Sequence, residues 1–369
     1  MDTIYDYLKW RGDLTLKDSP FNEVDAGILA RFSYEPFDGI VSSSVRGGKT
    51  IGEVCKQLIN LPDLNDNVLN REKDFDFIRI MGECRRFKDM TVSCYVNDID
   101  VERQIQFSAC LFSIDDEANY YVAFRGTDNT IIGWKEDFNM GFEFPVPAQK
   151  KALDYYENVA STLKDGTFII GGHSKGGNLS VYASTFCDER FNAPITDIYN
   201  FDGPGFTDSI MQLDEFKKIE DRIHTFVPEF SVVGMVLEHL EDYTVVGSDE
   251  TGIMQHELLS WEVGPLGFVH KEEVNSGSRF VDKTFKEWIS GLDKLQREQF
   301  VDTVFSLMMS GDARTLSQFT MNRGDMLNSM IKTYNEIDDE TKKGFLTSAK
   351  RLFGSAGTVL RNSTDKHRE

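Results

Sequence analysis

The stretch FIIGGHSKGGNLSVYAS, residues 168–184, changes periodicity at its centre. An apolar run typical of a short buried strand is followed, almost without a loop, by an amphipathic helical pattern. Ser174 lies at the junction, with Gly172 and Gly176 two residues to either side. Glycine at both positions indicates a turn so tight that a Cβ atom would clash with the flanking strand and helix, and such a turn pushes the serine hydroxyl into the open. The stretch therefore predicts a nucleophile elbow.

A serine hydroxyl is a weak nucleophile at its ordinary pKa, so a base must take its proton and a carboxylate must orient that base. In folds with this elbow the chain order is serine, acid, histidine, which restricts the base to histidines after Ser174. The candidates are His224, His239, His256 and His270. His256, in GIMQHELLSWEV, is favoured because its loop enters a late strand and can reach back over the elbow, and His270 is second. His224 is interpreted as a core histidine with satisfied hydrogen bonds, and His173, inside the elbow, as a partner of nearby backbone.

The acid has more than one candidate. Glu229 follows the strand pattern of RIHTFVPEF and is the preferred residue. Asp202, in YNFDGPGF, ends the preceding strand, although an aspartate there is also a common turn former. Asp242 is a further possibility, and the sequence leaves the choice open.

An oxyanion hole requires two hydrogen-bond donors near the elbow. The backbone N–H of Lys175 is the first, because the helix after Ser174 points its N-terminus at the nucleophile. The second is expected in the loop after an earlier strand, where NYYVAFRGT ends in Gly126 and Thr127. Thr127 can offer both its N–H and its hydroxyl.

The periodicity along the chain predicts an α/β fold with a mostly parallel central sheet and an antiparallel early edge. Alternating apolar and polar residues predict strands from residue 75 onward, in FIRIMGECRRF, MTVSCYVNDI, RQIQFSACLFSI and NYYVAF. Helices are expected at 51–61, 148–163 and 178–187, with strands at 167–171, 195–201 and 222–226 and in DYTVVG and LSWEV. Residues after 278 are helical in pattern. We expect an N-terminal helical extension over 1–74 that packs on the core, a catalytic core over 75–275, and a C-terminal helical region over 276–369 that could form a cap.

Composition excludes several classes of function. The chain has 61 acidic and 40 basic residues, a net charge of −21, and such a field repels nucleic acid and anionic membrane surfaces. The sequence shows no secretory signal pattern and no apolar run of the roughly 20 residues that a transmembrane helix needs. Five scattered cysteines without a C-x-x-C pair argue against disulfides or a zinc site, so a cytoplasmic protein is expected.

One motif was tested for nucleotide binding. The stretch RGGKT, residues 46–50, ends like a phosphate-binding loop, but Ser43 stands where the first glycine of that loop is required.

Three stretches together resemble the fungal (class 3) lipase group of α/β hydrolases: VAFRGTDNTIIGWKED, GGHSKGGNLSVYAS and YNFDGPGF. The sequence is most similar to a bacterial branch known mostly as a domain of unknown function, in which GHSKGGNL and QH…SW recur. The resemblance covers residues 75–263 and the opening YLKWRGDLTL…PFNEVDAGILARFSY. It implies an α/β-hydrolase fold with Ser174 as nucleophile, His256 as base, and Thr127 and Lys175 as oxyanion residues. Those lipases place an aspartate ahead of Val-Pro, whereas here Glu229 follows Val227-Pro228.

The resulting hypothesis is a serine esterase or lipase-like hydrolase that cleaves a soluble ester or acyl lipid through an acyl-enzyme on Ser174. It requires neither metal nor organic cofactor. A thioesterase or acyl transferase could use the same triad. A catalytically inactive hydrolase fold that only binds ligands is the alternative from another class, because a fold does not guarantee a function.

Overall fold

The computed structural model describes residues 1–62, 64, 71–100, 102–103, 105–128, 131–140, 143–234, 242–310 and 323–365. The chain forms two compact units. The first comprises residues 1–98, 107–126 and 148–274, and the second comprises residues 99–106, 127–147 and 275–369. The three-segment division expected from the sequence stays a prediction.

The described residues form a nine-stranded sheet whose strands lie in the order of the chain. The strands are β1 (Lys49–Thr50), β2 (Thr91–Asp100), β3 (Ile105–Ser113), β4 (Asn119–Phe124), β5 (Thr167–His173), β6 (Ile195–Phe201), β7 (Ile223–Pro228), β8 (Tyr243–Val246) and β9 (His270–Lys271). Strands β4 to β8 run parallel, whereas β1 and β2, β3 and β4, and β8 and β9 pair antiparallel. The predicted α/β fold with a mostly parallel centre and an antiparallel early edge is confirmed.

The helices of the first unit are α1 (Ile4–Trp10), α2 (Glu23–Phe32), α3 (Ile51–Ile59), α4 (Arg71–Glu83), α6 (Pro147–Thr162), α7 (Lys175–Phe186), α8 (Glu189–Asn192), α9 (Asp208–Met211) and α10 (Asp214–Lys217). The helix α5 (Ile131–Asn139) belongs to the second unit. Helices α6 to α8 lie in the connections between parallel strands, as βαβ units require. The predicted helices at 51–61, 148–163 and 178–187 are confirmed within a few residues.

Both faces of the sheet centre are covered by helices. Tyr121 of β4 points to the face of α2, where its hydroxyl donates to the carbonyl of Ala26 at 2.9 Å. Phe124, three residues further along the strand, points to the other face and packs edge-on against Tyr155 of α6. Strands β4, β5 and β6 are therefore buried on both sides, which explains their continuous apolar runs.

Polar side chains anchor helix α2. The side chain of Asn22 accepts hydrogen bonds from the first turn, and the carboxylate of Asp25 reaches back to the Asn22 N–H, which makes a capping box. Asp25 also forms a fully buried ion pair with Arg86, whose guanidinium donates to the carbonyls of Ser19 and Pro20 as well. The start of α2 is thus tied to the loop that follows α4.

Two of the predicted strands are wrong. FIRIMGECRRF begins in helix α4, because Asp74, Phe77, Ile78 and Met81 recur at helical spacing and form its buried face. LSWEV begins in a 3₁₀ helix (Leu258–Ser260) and continues only as single bridges. The Glu257 carboxylate accepts from the Leu259 N–H and the Ser260 hydroxyl donates to the Glu257 carbonyl, so local side-chain bonds favour a turn there.

The second unit is mainly helical. Besides α5, its helices are α11 (Ser276–Ser290), α12 (Lys294–Met308), α13 (Arg323–Glu336) and α14 (Asp339–Asp365). The ring of Phe300 packs between those of Trp288 and Phe345, and the Trp288 indole N–H donates to the Ser348 carbonyl. The predicted helices after residue 278 are confirmed, while their role as a cap stays a prediction.

Among the described helices, none combines the length and the apolar character needed to span a bilayer. The five cysteines are free thiols and all are buried.

Candidate active site

Ser174 occupies a sharp turn between β5 and α7. Its backbone has φ 58° and ψ −134°, a conformation that costs free energy for any residue with a Cβ. The Ser174 N–H donates to the Phe201 carbonyl of β6 at 2.8 Å, which ties the turn to the neighbouring strand. In the described first turn of α7, the Ser174 hydroxyl makes no capping hydrogen bond.

The two elbow glycines have no room for a side chain. A Cβ atom at Gly172 would overlap backbone atoms of Gly176, and one at Gly176 would overlap the carbonyl of Phe124 at the end of β4. The close approach of these segments is what allows the turn.

The elbow serine is buried, in contrast to the open hydroxyl expected from the sequence. Only 6% of Ser174 is exposed. A Cβ atom on Gly126, in the loop after β4, would lie 2.9 Å from the Cβ of Ser174, so that loop passes directly over the serine. The turn is as sharp as predicted, but neighbouring backbone covers it.

Asp202 and His256 form a hydrogen-bonded pair. Asp202 follows β6 directly, has a positive φ of 51°, and is fully buried. Its Oδ2 lies 2.6 Å from Nδ1 of His256, at the end of a 3₁₀ helix (Gly252–His256). A carboxylate accepts, so Nδ1 carries the proton, and in the neutral ring Nε2 is left with its lone pair. This is the tautomer that a general base needs.

The other oxygen of Asp202 is also bonded. The hydroxyl of Ser231, in the loop after β7, donates to Oδ1 at 2.5 Å. Next to it, the Phe230 N–H donates to the side-chain oxygen of Gln255 at 2.6 Å. The loop after β7 thus holds the acid and the residue that precedes His256.

The geometry reverses the preference between the two acids. Glu229, the first choice from the sequence, has a side chain that is 37% exposed, and its Oε2 lies 4.0 Å from Nζ of Lys271. Asp202 contacts His256 because β6 is the immediate neighbour of β5, so its carboxyl end meets the elbow. Glu229 follows β7, which is one strand further away. Asp242, the third possibility, is exposed and precedes β8.

The remaining histidines lie elsewhere or have other partners. His270 is on β9 with its Nε2 3.7 Å from Glu23. His224 is in β7 as predicted, but it is partly exposed and pairs with Asp197 at 2.9 Å, so it is not a core residue. His239 lies outside the described residues.

His173, which precedes the serine, is buried between two hydrogen bonds. Its Nε2 lies 2.7 Å from the carbonyl oxygen of His256, and its Nδ1 lies 3.0 Å from the hydroxyl of Tyr34. A carbonyl only accepts, so Nε2 is protonated and the neutral Nδ1 accepts from Tyr34. Burial and the nearby His256 hold the pKa of His173 well below 6.5. His173 is therefore neutral, and its predicted role as a partner of backbone is confirmed.

A buried charge cluster lies behind His256. Arg31, near the end of α2, donates from Nε to the Glu257 carboxylate at 2.8 Å, and its guanidinium also contacts Asp74 and Glu35. Burial and the charge of Asp74 raise the pKa of Glu35 well above 4.5, whereas Arg31 keeps the pKa of Glu257 below 4.5 despite its burial. The surroundings thus favour the neutral form of Glu35, whereas Arg31 favours the ionised form of Glu257.

The two predicted oxyanion residues, Lys175 and Thr127, have different surroundings. Lys175 is the first residue of α7, where the positive end of the helix dipole favours negative charge. The hydroxyl of Thr127 donates to the carboxylate of Asp137 in α5. Since a hydroxyl has one proton, this bond leaves the backbone N–H as the group that Thr127 could offer to an oxyanion.

Sequence reasoning missed Tyr34, Arg31, Ser231 and Gln255. The signal for the first two was in ILARFSY of the opening stretch, which belongs to the family resemblance but carries no catalytic pattern. Gln255 was present in the QH…SW pattern, and its carbonyl accepts from the indole of Trp261 at 2.8 Å. Ser231 had no sequence signal.

The described part of the chain contains no cluster of three or more histidine, cysteine, aspartate or glutamate side chains suited to a metal ion. The elbow between β5 and α7, set in a mostly parallel sheet, defines a lipase-like α/β hydrolase fold. The sequence matches the Mbeg1-like family over residues 81–306, more than half of the chain, and the protein belongs to this family. No curated protein sequence matches it.

Solved structures with similarity to this chain include three lipases. The Rhizomucor miehei lipase propeptide complex is 15% identical, with 43% of this chain and 57% of that chain covered and a TM-score of 0.32. M37 lipase is 13% identical, with 58% and 69% covered and a TM-score of 0.38. Lipase II from Rhizopus niveus is 14% identical, with 68% and 89% covered and a TM-score of 0.36. The match spans little more than half of the first of these, and similarity at this level bears on neither activity nor substrate.

Proposed function

We propose that the protein is a serine hydrolase that cleaves carboxylic esters through an acyl-enzyme on Ser174. The observation that carries the proposal is the hydrogen bond between Asp202 and His256 beside a strained serine elbow. His173 and Phe201 are paired in β5 and β6, so Ser174 and Asp202 occupy equivalent positions just beyond the two strand ends. Positive φ values at both residues fit a functional site, where backbone strain is retained.

In the proposed mechanism, Ser174 Oγ attacks the ester carbonyl while its proton passes to His256 Nε2. Asp202 keeps Nδ1 protonated and stabilises the imidazolium. The tetrahedral oxyanion accepts from the backbone N–H groups of Thr127 and Lys175. His256 then protonates the leaving alkoxide. Water then attacks the acyl-enzyme and gives a proton to the same nitrogen. When the tetrahedral intermediate collapses, His256 returns this proton to the departing Ser174 oxygen and the carboxylic acid is released.

The acidic chain disfavours an anionic lipid surface as substrate, so a soluble ester or a monoacyl lipid is the proposed substrate class. Two exposed apolar side chains, Ile253 and Met254, directly precede Gln255 and His256. They would suit an apolar group on the substrate beside the base. A series of p-nitrophenyl esters from two to twelve carbons tests this, and a preference for two to four carbons would contradict an acyl-chain site.

The decisive experiment is labelling with a small alkyl fluorophosphonate, followed over hours by intact mass because Ser174 is buried. We expect one adduct on the wild type and none on Ser174→Ala. Ser184→Ala is the matched control, since Ser184 is a buried serine of α7 whose hydroxyl donates to the Ser180 carbonyl in the same helix. Its labelling should equal that of the wild type.

His256→Ala should lower the rate of ester hydrolysis by about 10³ or more without loss of folded structure. A folded wild type that neither labels nor hydrolyses esters would favour the inactive ligand-binding alternative. Thioester hydrolysis or acyl transfer to an added alcohol at a higher kcat/KM than ester hydrolysis would assign the same residues to those reactions instead.

A further inference from the structure

The backbone around His256 has little regular structure of its own to hold it. The residue ends a 3₁₀ helix and the next one begins at Leu258, so His256 and Glu257 form the link between two single turns. A base must nevertheless be held within about 0.5 Å of its working position. Besides the Asp202 bond, two contacts hold this link: one comes from His173 of β5, whose ring is bonded to Tyr34, and one comes from Arg31 of helix α2.

The first contact acts on the carbonyl of His256. His173, at the end of a central strand, donates to it from Nε2 at 2.7 Å. This bond exists only in one tautomer of the neutral ring, because the other tautomer would set a lone pair against the carbonyl. The Tyr34 hydroxyl lies 3.0 Å from Nδ1 and 3.3 Å from the His173 carbonyl oxygen, and its donation to the nearer atom, Nδ1, favours the tautomer with the proton on Nε2.

The second contact acts on the next residue. Glu257 receives the Arg31 Nε–H at 2.8 Å and also accepts from the Leu259 N–H. A charge-assisted bond to a buried guanidinium is stronger than a neutral one. The link is therefore held at both of its residues: Asp202 contacts His256, and Arg31 contacts Glu257.

Both contacts depend on residues at the C-terminal end of helix α2, Arg31 within it and Tyr34 just after it. The Arg31 guanidinium carbon lies 5.7 Å from the centre of the Tyr34 ring, and the helix that carries Arg31 is capped by Asn22 and tied to Arg86 through Asp25. The family match begins at residue 81, so neither residue is part of it.

We propose that Tyr34 and Arg31 are positioning residues that fix the link formed by His256 and Glu257. Tyr34 acts on His256 through His173, and Arg31 acts directly on Glu257. The N-terminal segment is therefore part of the active-site machinery and not only a cover for the sheet. This inference rests on the proposed serine hydrolase function, in which His256 is the base.

The test measures kcat and KM on a p-nitrophenyl ester and the fluorophosphonate labelling rate for Tyr34→Phe. We expect kcat and the labelling rate to fall about tenfold with KM unchanged, since a hydrogen bond that orients the base is lost. Tyr156→Phe is the matched control: its buried hydroxyl donates to the Phe191 carbonyl at 2.6 Å, away from the elbow. It should lower the melting temperature by a similar amount and leave kcat unchanged.

His173 variants test the route of the effect. His173→Gln retains an N–H donor for the His256 carbonyl and should keep kcat within about tenfold of the wild type, while His173→Leu should lose about 10². In the His173→Leu background, Tyr34→Phe should have no further effect on kcat. If the two effects multiply instead, Tyr34 does not act through His173 and the proposal is overturned.

The Arg31 contact is tested by Glu257→Gln, which keeps the shape of the side chain and removes its charge. We expect a loss in kcat of about tenfold. Glu35→Gln is its control, because Glu35 contacts the same guanidinium and, unlike Glu257, has a pKa shifted towards its neutral form. Equal kcat values for Glu257→Gln and the wild type would overturn this half of the proposal.

These outcomes separate the two proposals. A wild type without Ser174-dependent labelling or hydrolysis overturns the proposed function and the positioning role with it. A wild type that labels at Ser174 while Tyr34→Phe and Glu257→Gln retain its kcat overturns only the positioning role.

Discussion

The Asp202 carboxylate lies 2.6 Å from Nδ1 of His256, although the two residues are 54 positions apart in the chain. Asp202→Asn should therefore lower kcat by about 10⁴, because an amide can donate to Nδ1 and stabilise the wrong tautomer of the base. Steady-state ester hydrolysis and circular dichroism check the loss of rate and the retained fold. Glu229→Gln is the control and should leave kcat within about twofold; a loss of 10³ or more there would restore Glu229 as the acid.

Gly126 closes over the elbow with no space for a methyl group. A Cβ atom at Gly126 would overlap the Tyr34 hydroxyl and the His173 carbonyl and lie 2.9 Å from the Cβ of Ser174. Gly126→Ala should lower the fluorophosphonate labelling rate by at least tenfold, since the elbow or the tyrosine must move. At Gly264 the nearest atom to an added Cβ is 3.6 Å away, so Gly264→Ala should label like the wild type. Equal labelling of both variants would contradict the close approach.

Because His173 is buried and neutral, the free energy of unfolding should depend on pH. Its pKa lies well below 6.5 in the folded state, so the unfolded chain binds the proton first as the pH falls. The contribution to stability is fully present above pH 6.5 and is lost below it, by up to about 1.4 kcal/mol per pH unit. Urea unfolding between pH 7.5 and 5 should show a shallower acid loss for His173→Gln than for the wild type. Parallel curves would mean that His173 is protonated in the fold.

Glu35 should have the opposite dependence. Its pKa is raised well above 4.5, so the folded state keeps a proton that the unfolded chain releases, and stability falls as the pH rises above 4.5. Glu35→Gln removes this loss. The difference in unfolding free energy between variant and wild type should grow in favour of the variant from pH 5 to 7. A constant difference over that range would show that Glu35 is ionised in the folded protein.

Features of the structure that depend on neighbouring residues in the chain could be predicted, and features that depend on distant residues could not. The elbow could be read from the sequence because the turn, the strand before it and the helix after it are contiguous. Helix α4 was misread as a strand because its buried positions, Asp74, Phe77, Ile78 and Met81, include a charged residue whose burial depends on Arg31, 43 positions away. The sequence did not indicate that Asp202 contacts His256 for a similar reason: this required the knowledge that β6, and not β7, lies beside β5.

The sequence by itself determined the strand-and-helix alternation and the serine at the sharp turn, since both follow from short-range periodicity and turn stereochemistry. Tertiary structure alone decided which carboxylate contacts His256, that the serine is covered, that Tyr34 bonds to His173, and that Arg31 bonds to Glu257. Strand neighbours and buried ion pairs are set by packing between segments far apart in the chain. No local pattern of residues encodes that packing.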